Sequence, residues 1–251
     1  MKTYLILLLV TVAGCTSEWT VDLSNVNSVN NPIIQPTIQY ADWTSVSQGI
    51  DFKQMFVDDE LFNIVRIDPR QTKVFVQVDE TAPKTVSEWR EQLDAAVVIN
   101  GGYFDEQYSL VSRTMTDGTA IGPLLSGETG VFTQYQGEWI ITTDPALLTT
   151  TGIQSYPVLV KNGEANVASA SQDTAQRSVV ATDANGLVYL IVCEYGVFTL
   201  TELSAALAEL SDPVIVSALN LDGGTSTGLS IQSQTVSYLD DSLVVPSVIV
   251  L

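Results

Sequence analysis

A single α+β domain, built on a mixed β-sheet with a few helices, is predicted from residue 37 to residue 251. Three observations predict it. Short apolar runs of strand length recur between turn residues, only two segments carry helix start signals, and no internal repeat or low-complexity tract interrupts the pattern. A length of 251 residues allows one large domain or at most two.

A leader is expected at the start of the sequence. Lys2 is a basic n-region, and Leu5 to Val10 is an apolar h-region too short to span a bilayer, so residues 1–14 read as a signal peptide. The segment Val12-Ala13-Gly14-Cys15 resembles the bacterial lipobox. That resemblance implies that Cys15 becomes a lipidated N-terminal residue and anchors the chain in a bacterial cell envelope. Thr16 stands where an Asp would suggest inner-membrane retention, so an outer-membrane position facing the periplasm is expected. The rest of 15–36 is rich in Ser, Asn, Thr and Val, holds Pro32 and Pro36, and shows no sustained period. It reads as a tether.

Two strand-like runs follow, Leu61 to Ile67 and Thr72 to Val78, flanking Asp68-Pro69-Arg70-Gln71. They predict a β-hairpin with one buried face. Thr85-Val86-Ser87-Glu88 and Thr199-Leu200-Thr201-Glu202 each pair an N-cap hydroxyl with a Glu three residues on, the capping-box pattern of a helix start. In the second, Leu203, Ala206, Leu207 and Leu210 recur at helical spacing until Asp212-Pro213 stops the helix. Strands are expected after both helices, at Ala95 to Ile99 and Val214 to Leu219. Ser178 to Thr182 and Leu187 to Val192 predict a second hairpin turning at Asp183-Ala184-Asn185-Gly186. Cys193 closes that apolar run and reads as a small buried hydrophobe. With Cys15 taken by lipid, no disulfide is expected.

Composition excludes several function classes. With 45% hydrophobic residues the chain is no disordered acidic tail. A formal charge of −19 opposes a nucleic-acid partner. The absence of histidine excludes Ser-His-Asp and Cys-His catalysis and His-ligated metals. Chemistry must come from carboxylates, Arg, Lys, hydroxyls or backbone amides.

Each helix–strand unit ends in a polar, glycine-rich turn. The first is Asn100-Gly101-Gly102-Tyr103-Phe104-Asp105 and the second runs from Asn220-Leu221-Asp222-Gly223-Gly224 through Thr225-Ser226-Thr227-Gly228. An apolar strand running into such a turn delivers polar groups at a sheet edge, where glycines let a ligand approach bare N–H groups. The competing reading is a pair of tight hairpin turns. Arg177, in Gln176-Arg177-Ser178, stands at a strand entrance in a cation-poor chain. It can fork onto a phosphate or carboxylate, or serve in a surface salt bridge. Tyr156-Pro157-Val158-Leu159-Val160, followed by Lys161-Asn162-Gly163-Glu164, suggests a strand and a turn without evident chemistry.

These stretches, in this order, resemble the signatures of the phosphodiester glycosidase domain family, typified by the enzyme that uncovers mannose 6-phosphate and with many bacterial members linked to exopolysaccharide. The resemblance also takes in Trp43 to Phe52 with Gly49-Ile50-Asp51, Arg66-Ile67-Asp68-Pro69, Thr116-Asp117-Gly118 and Gln154-Ser155-Tyr156-Pro157, and so covers nearly all of 40–251. Thr225 departs from it, standing where another glycine is expected and stiffening that turn. The resemblance implies an α+β fold and a hydrolase that cleaves between a sugar anomeric carbon and a phosphodiester, acting on envelope or extracellular glycans.

That reaction passes through an oxocarbenium-like transition state, usually flanked by two carboxyl groups. A phosphomonoester leaving group is already anionic, so charge-stabilising donors matter more than a strong general acid. Arg177 and the amides of Gly101, Gly102, Gly223 and Gly224 are candidates to hold the phosphate. Asp222, and second Asp105, are candidates to stabilise the sugar cation or activate water. Asn100, Asn220 and Ser226 are candidates to bind sugar hydroxyls or orient the carboxylates. The partners implied are a sugar-1-phosphodiester or glycan and, through the anchor, a membrane; no cofactor, metal or protein partner is assigned. A second hypothesis is a non-catalytic carbohydrate-binding lipoprotein of the same fold, which would use Trp43, Trp89, Trp139 and Tyr103 but not Asp222. A third, a calcium-binding envelope protein, lacks the D-x-[DN]-x-[DN]-G loop; its nearest segment, Asp183-Ala184-Asn185-Gly186, reads better as a turn.

Overall fold

The computed structural model describes residues 42–169 and 172–251, so the signal peptide, Cys15 and the tether lie outside the described residues. Among these, eighteen strands form three sheets, accompanied by two α-helices and two 3-10 turns. The α+β expectation is corrected. The domain is mostly β, and its sheets are antiparallel rather than mixed.

The reason lies in how the two helix–strand units close. Both capping boxes form, at helices Val86–Leu93 and Leu200–Glu209. Each helix does reverse the chain so that the strands before and after it point the same way. A strand from elsewhere then inserts between them. Strands Phe75–Val78 and Val97–Asn100 both pair with Ser247–Val250. Strands Val188–Cys193 and Ser217–Asn220 both pair with Arg177–Thr182. The helical crossovers are real, but no two parallel strands are left as neighbours.

The hairpin expected across Asp68–Gln71 is also corrected. The turn exists, with Gln71 N–H donating to the Asp68 carbonyl at 3.0 Å. Its two arms, however, enter different sheets: Glu60–Ile67 lies between Ile50–Val57 and Val188–Cys193, whereas Phe75–Val78 joins Ser247–Val250. Both arms are apolar on more than one face, so each satisfies its burial better between layers than against the other. The hairpin at Asp183–Gly186 forms in the expected register, from Ser178 opposite Val192 to Thr182 opposite Val188.

The layers follow from side-chain alternation. In the eight-stranded sheet, Val180, Leu190, Val192 and Leu219 meet Val97, Ile99, Leu229 and Ile249 of a five-stranded sheet in the main core. The opposite face, with Val179, Ala181, Ile191 and Cys193, is covered by Leu203, Leu207 and Leu210 of the second helix. Val98, Val248 and Val250 of the five-stranded sheet take Val86 and Trp89 of the first helix. The third sheet adds Phe132, Trp139 and Ile153 to the main core. Strands buried on both faces need apolar residues at every position, which explains runs such as Val-Tyr-Leu-Ile-Val-Cys. Each fully buried Ile or Val contributes roughly 1.5–3 kcal/mol by leaving water. Cys193 is fully buried in this packing, and burial pushes its thiol well above the usual range.

Candidate active site

The strands Val97–Asn100 and Ser217–Asn220 come from different sheets, yet their ends meet. Asp222 N–H donates to the Gly101 carbonyl at 3.1 Å, and Asn100 Nδ2 donates to the Asp222 carbonyl at 2.8 Å. Asn100 Oδ1 accepts from the Ser178 hydroxyl and from Gly228 N–H. Asn100 is fully buried and serves as the knot between the two sheets, its amide engaged by protein on all sides. The stretches around 100, 177 and 222 therefore share one corner.

The glycines make that corner possible by letting backbone approach backbone. A Cβ on Gly101 would overlap Ser247 Oγ and lie 2.9 Å from the Ser247 carbonyl carbon and oxygen. A Cβ on Gly223 would stand 2.9 Å from the Gln176 carbonyl. Gly224, at φ +60°, takes the left-handed conformation that favours glycine. Three of the four expected anion-binding amides are thereby engaged: Gly101 N–H by Ser247, Gly223 N–H by the Asp222 carboxylate, and Gly224 N–H by Gln176. Gly102 N–H takes no hydrogen-bond partner among the described residues. Thr225 needs no glycine conformation. It sits exposed in the 3-10 turn Gly224–Ser226, and its carbonyl accepts Leu243 N–H at 2.9 Å.

Asp222 is half-buried. Its Oδ1 accepts Gly223 N–H at 2.9 Å, and the Ser226 hydroxyl stands near enough to favour the charged carboxylate. Burial raises its proton affinity above that of an ordinary aspartate, and these two donors oppose the rise. Arg177 begins its strand beside this turn, with Nη1 3.8 Å from the position a Gly223 Cβ would take. Its Nη2 donates to the Asp173 carbonyl at 2.9 Å, while Nε is buried without a partner. It makes no ion pair among the described residues, so the salt-bridge alternative finds no support. Orphaned buried atoms gather in the segments around this corner: Arg177 Nε, Asn220 Oδ1, Thr227 Oγ1 and Ser247 Oγ. Such groups are rare in folded cores, and each calls for a partner such as a bound water or ligand.

Asn220, nearly fully buried, donates Nδ2 to the Tyr103 hydroxyl at 2.6 Å and to the Tyr156 carbonyl at 3.3 Å. Burial, with Asp222 and Tyr156 nearby, raises the Tyr103 phenol far above its usual range, while Arg177 works against this. Tyr103 is thus a neutral donor, and Asp222 and Arg177 each lie within electrostatic reach of it. Asp105 is placed differently. It is exposed, and Oδ1 accepts Gln107 N–H and Ser109 N–H, both at 2.9 Å, closing its own turn. It touches no residue of the corner among the described residues. Tyr156 is the site residue that sequence reasoning missed. Its only signal was the Gln154-Ser155-Tyr156-Pro157 stretch.

The aromatics considered for carbohydrate binding separate clearly. Trp89 and Trp139 are core residues, and Trp43 stacks on the Arg66 guanidinium with Nε1 on Asp212. Tyr103 alone of the four is at the corner. A cleft of about 630 Å³ is lined by Pro157 with Thr129, Lys161, Asn166 and Ser169, and by none of the corner side chains. Asp183 closes its hairpin turn by accepting Asn185 N–H and Leu187 N–H. Among the described residues no group of three or more acids or cysteines is placed to hold a metal.

Residues 94–251 match the family model described as phosphodiester glycosidase. A search of curated proteins gave no match. Among solved structures, the fold is similar to the zebrafish N-acetylglucosamine-1-phosphodiester alpha-N-acetylglucosaminidase catalytic domain auto-inhibited by its pro-peptide. There the identity is 18%, the match covers 85% of this chain and 86% of that one, and the TM-score is 0.62. An exported protein from Burkholderia pseudomallei matches at 12% identity, over 80% of this chain and 74% of that one, with a TM-score of 0.56. A hypothetical protein from Synechocystis matches at 16%, over 81% and 62%, with a TM-score of 0.54. At such identities the solved structures establish the fold alone. The family match spans more than half of the chain and includes both Gly-Gly corners and Arg177: the chain belongs to the phosphodiester glycosidase family.

Proposed function

We propose that the protein hydrolyses the bond between a sugar anomeric carbon and a phosphodiester oxygen, with Asp222 and Arg177 as its working pair. One observation carries the reading. A carboxyl held by the Gly223 amide adjoins the glycine that the Arg177 guanidinium approaches, and the Arg177 Nε is buried and unpartnered. Arg177 and Gly102 N–H would seat the phosphate. As the C–O bond breaks, its electron pair leaves with the phosphate oxygen, which needs no proton. Asp222 faces the positive charge that develops on the sugar and takes the proton of the attacking water. Its raised proton affinity makes it the stronger base. Asp105 lies on its own turn, so the corner supplies one carboxylate rather than the usual two. An anionic leaving group makes one sufficient.

The name of the zebrafish protein suggests the first substrate to try, an N-acetylglucosamine 1-phosphodiester. Incubating the purified chain with UDP-N-acetylglucosamine and similar esters should release reducing sugar. Asp222→Asn should abolish release, and Arg177→Ala should lower it about 10²–10³-fold, the usual effect of losing one preorganised donor. Release that survives both substitutions would refute the assignment. Binding without release in the wild type would favour a non-catalytic carbohydrate-binding lipoprotein. We place the enzyme in a bacterial envelope, anchored through Cys15 and facing the periplasm, on the strength of the lipobox-like Val12–Cys15. Among the described residues no helix is long and apolar enough to cross a bilayer. Labelled palmitate should enter the wild-type chain and not Cys15→Ala.

A further inference from the structure

We propose that the exposed face of Tyr156 is a stacking platform for a pyranose ring, which makes it the sugar subsite beside the Asp222–Arg177 corner. The proposal rests on the reading of that corner as the reaction site. Tyr156 is 39% exposed, although its neighbour Ser155 is fully buried. One face of its ring lies on Tyr103, with centroids 4.6 Å apart and planes 29° apart. The Tyr103 hydroxyl donates to the Tyr156 carbonyl at 3.1 Å and accepts from Asn220 Nδ2 at 2.6 Å. The pair is therefore fixed to the strand end that leads into Asp222. One ring is pinned and the other presents a bare face to solvent.

A pyranose presents an apolar C–H face that covers such a ring, while its hydroxyls stay in reach of polar groups at the edge. Because the ring is already immobilised by Tyr103, stacking costs little side-chain entropy. Tyr135 and Tyr195 are also exposed, but neither is tied to the corner. The Tyr195 ring leans on Phe56, at 6.0 Å and 49°, and its backbone N–H donates to Glu60, so no ring stack ties it to Tyr103 or Asn220. Pro157, the next residue, lines the cleft of about 630 Å³, so a second sugar unit would have room beyond the first.

The test uses the full chain with Tyr156→Ala and Tyr156→Phe, checked for unchanged melting temperature. With UDP-N-acetylglucosamine as substrate, Tyr156→Ala should raise KM about tenfold and leave kcat within a factor of about three, as expected for losing one ring stack. Tyr156→Phe should behave as wild type, because the platform uses the ring and not the hydroxyl. An unchanged KM in Tyr156→Ala overturns the proposal while leaving the reaction reading intact. If the wild type turns over no sugar-1-phosphodiester, the reaction reading fails, and saturation-transfer NMR with N-acetylglucosamine, glucose and galactose decides the platform by itself. Transfer to one face of a sugar ring that disappears in Tyr156→Ala supports it. Transfer to none of the three, or transfer that survives the substitution, overturns it.

Discussion

Replacing Gly101 by alanine tests the corner most directly, because the expected effect is set by measured clearances. The new Cβ would overlap Ser247 Oγ and sit 2.9 Å from that residue's carbonyl carbon and oxygen, so backbone must move. Overpacking of this kind costs about 1–3 kcal/mol. The movement strains two hydrogen bonds, Gly101 N–H to Ser247 and Asp222 N–H to Gly101, each with a net contribution of about 0.5–1.5 kcal/mol. The expected destabilisation is about 2–6 kcal/mol, a fall of roughly 4–24 °C in melting temperature for a domain of this size. The Gly101 carbonyl holds the amide of Asp222, so the carboxylate shifts with it, and a displacement near 1 Å lowers turnover about 100-fold. Gly102→Ala is the comparator: its Cβ would meet the Ile153 Cγ2 methyl at 3.1 Å, a neighbour that can yield. Thermal unfolding followed by circular dichroism, together with sugar release, reads both effects. Ser247→Ala should restore part of the loss by removing Oγ while its backbone obstacle stays. A Gly101→Ala protein that melts no lower than Gly102→Ala would refute the reasoning.

Asn100→Ala should destabilise by about 3 kcal/mol or more, since it strands the Ser178 hydroxyl, Gly228 N–H and the Asp222 carbonyl in the interior; chemical denaturation measures it. Asp105→Ala should keep turnover near wild type while loosening the turn that closes on Gln107 and Ser109; an activity loss of 100-fold would return Asp105 to the reaction. Asp240 is pushed up to about 6 by burial and by the Glu194 and Asp241 carboxylates. A raised value means that its contribution to stability is fully present below pH ~4 and is lost as pH rises through about 6. Asp240→Asn should therefore gain in melting temperature relative to wild type above pH 6, and the gap should close near pH 4.

Local chemistry was legible wherever it acts over a few residues. Both capping boxes form, and the Asp183–Gly186 turn closes its hairpin in register. The apolar repeat Leu203, Leu207, Leu210 does face the core. The two Asn-then-glycine turns, read as sheet-edge features behind buried strands, do converge on Arg177. Less legible was what the glycines are for. They were read as room for a ligand at bare amides, and three of those four amides bind protein instead. Nothing short-range distinguishes a glycine that admits phosphate from one that admits a neighbouring strand.

The strand parity of each apolar run, the helix starts and the absence of histidine chemistry belong to the sequence by itself, because they follow from periods and residue types within a dozen positions. Which strand fills the gap across each helix was decided only in the tertiary structure. Ser247–Val250 lies some 150–170 residues from the strands it separates, and its insertion left that sheet antiparallel where a mixed one was expected. Long-range pairing also set Asp222, and not Asp105, in the corner that holds Asn100 and Gly101. Hydrogen-bond partners and burial across a core depend on which layers stack, and a single segment carries no record of its distant neighbour.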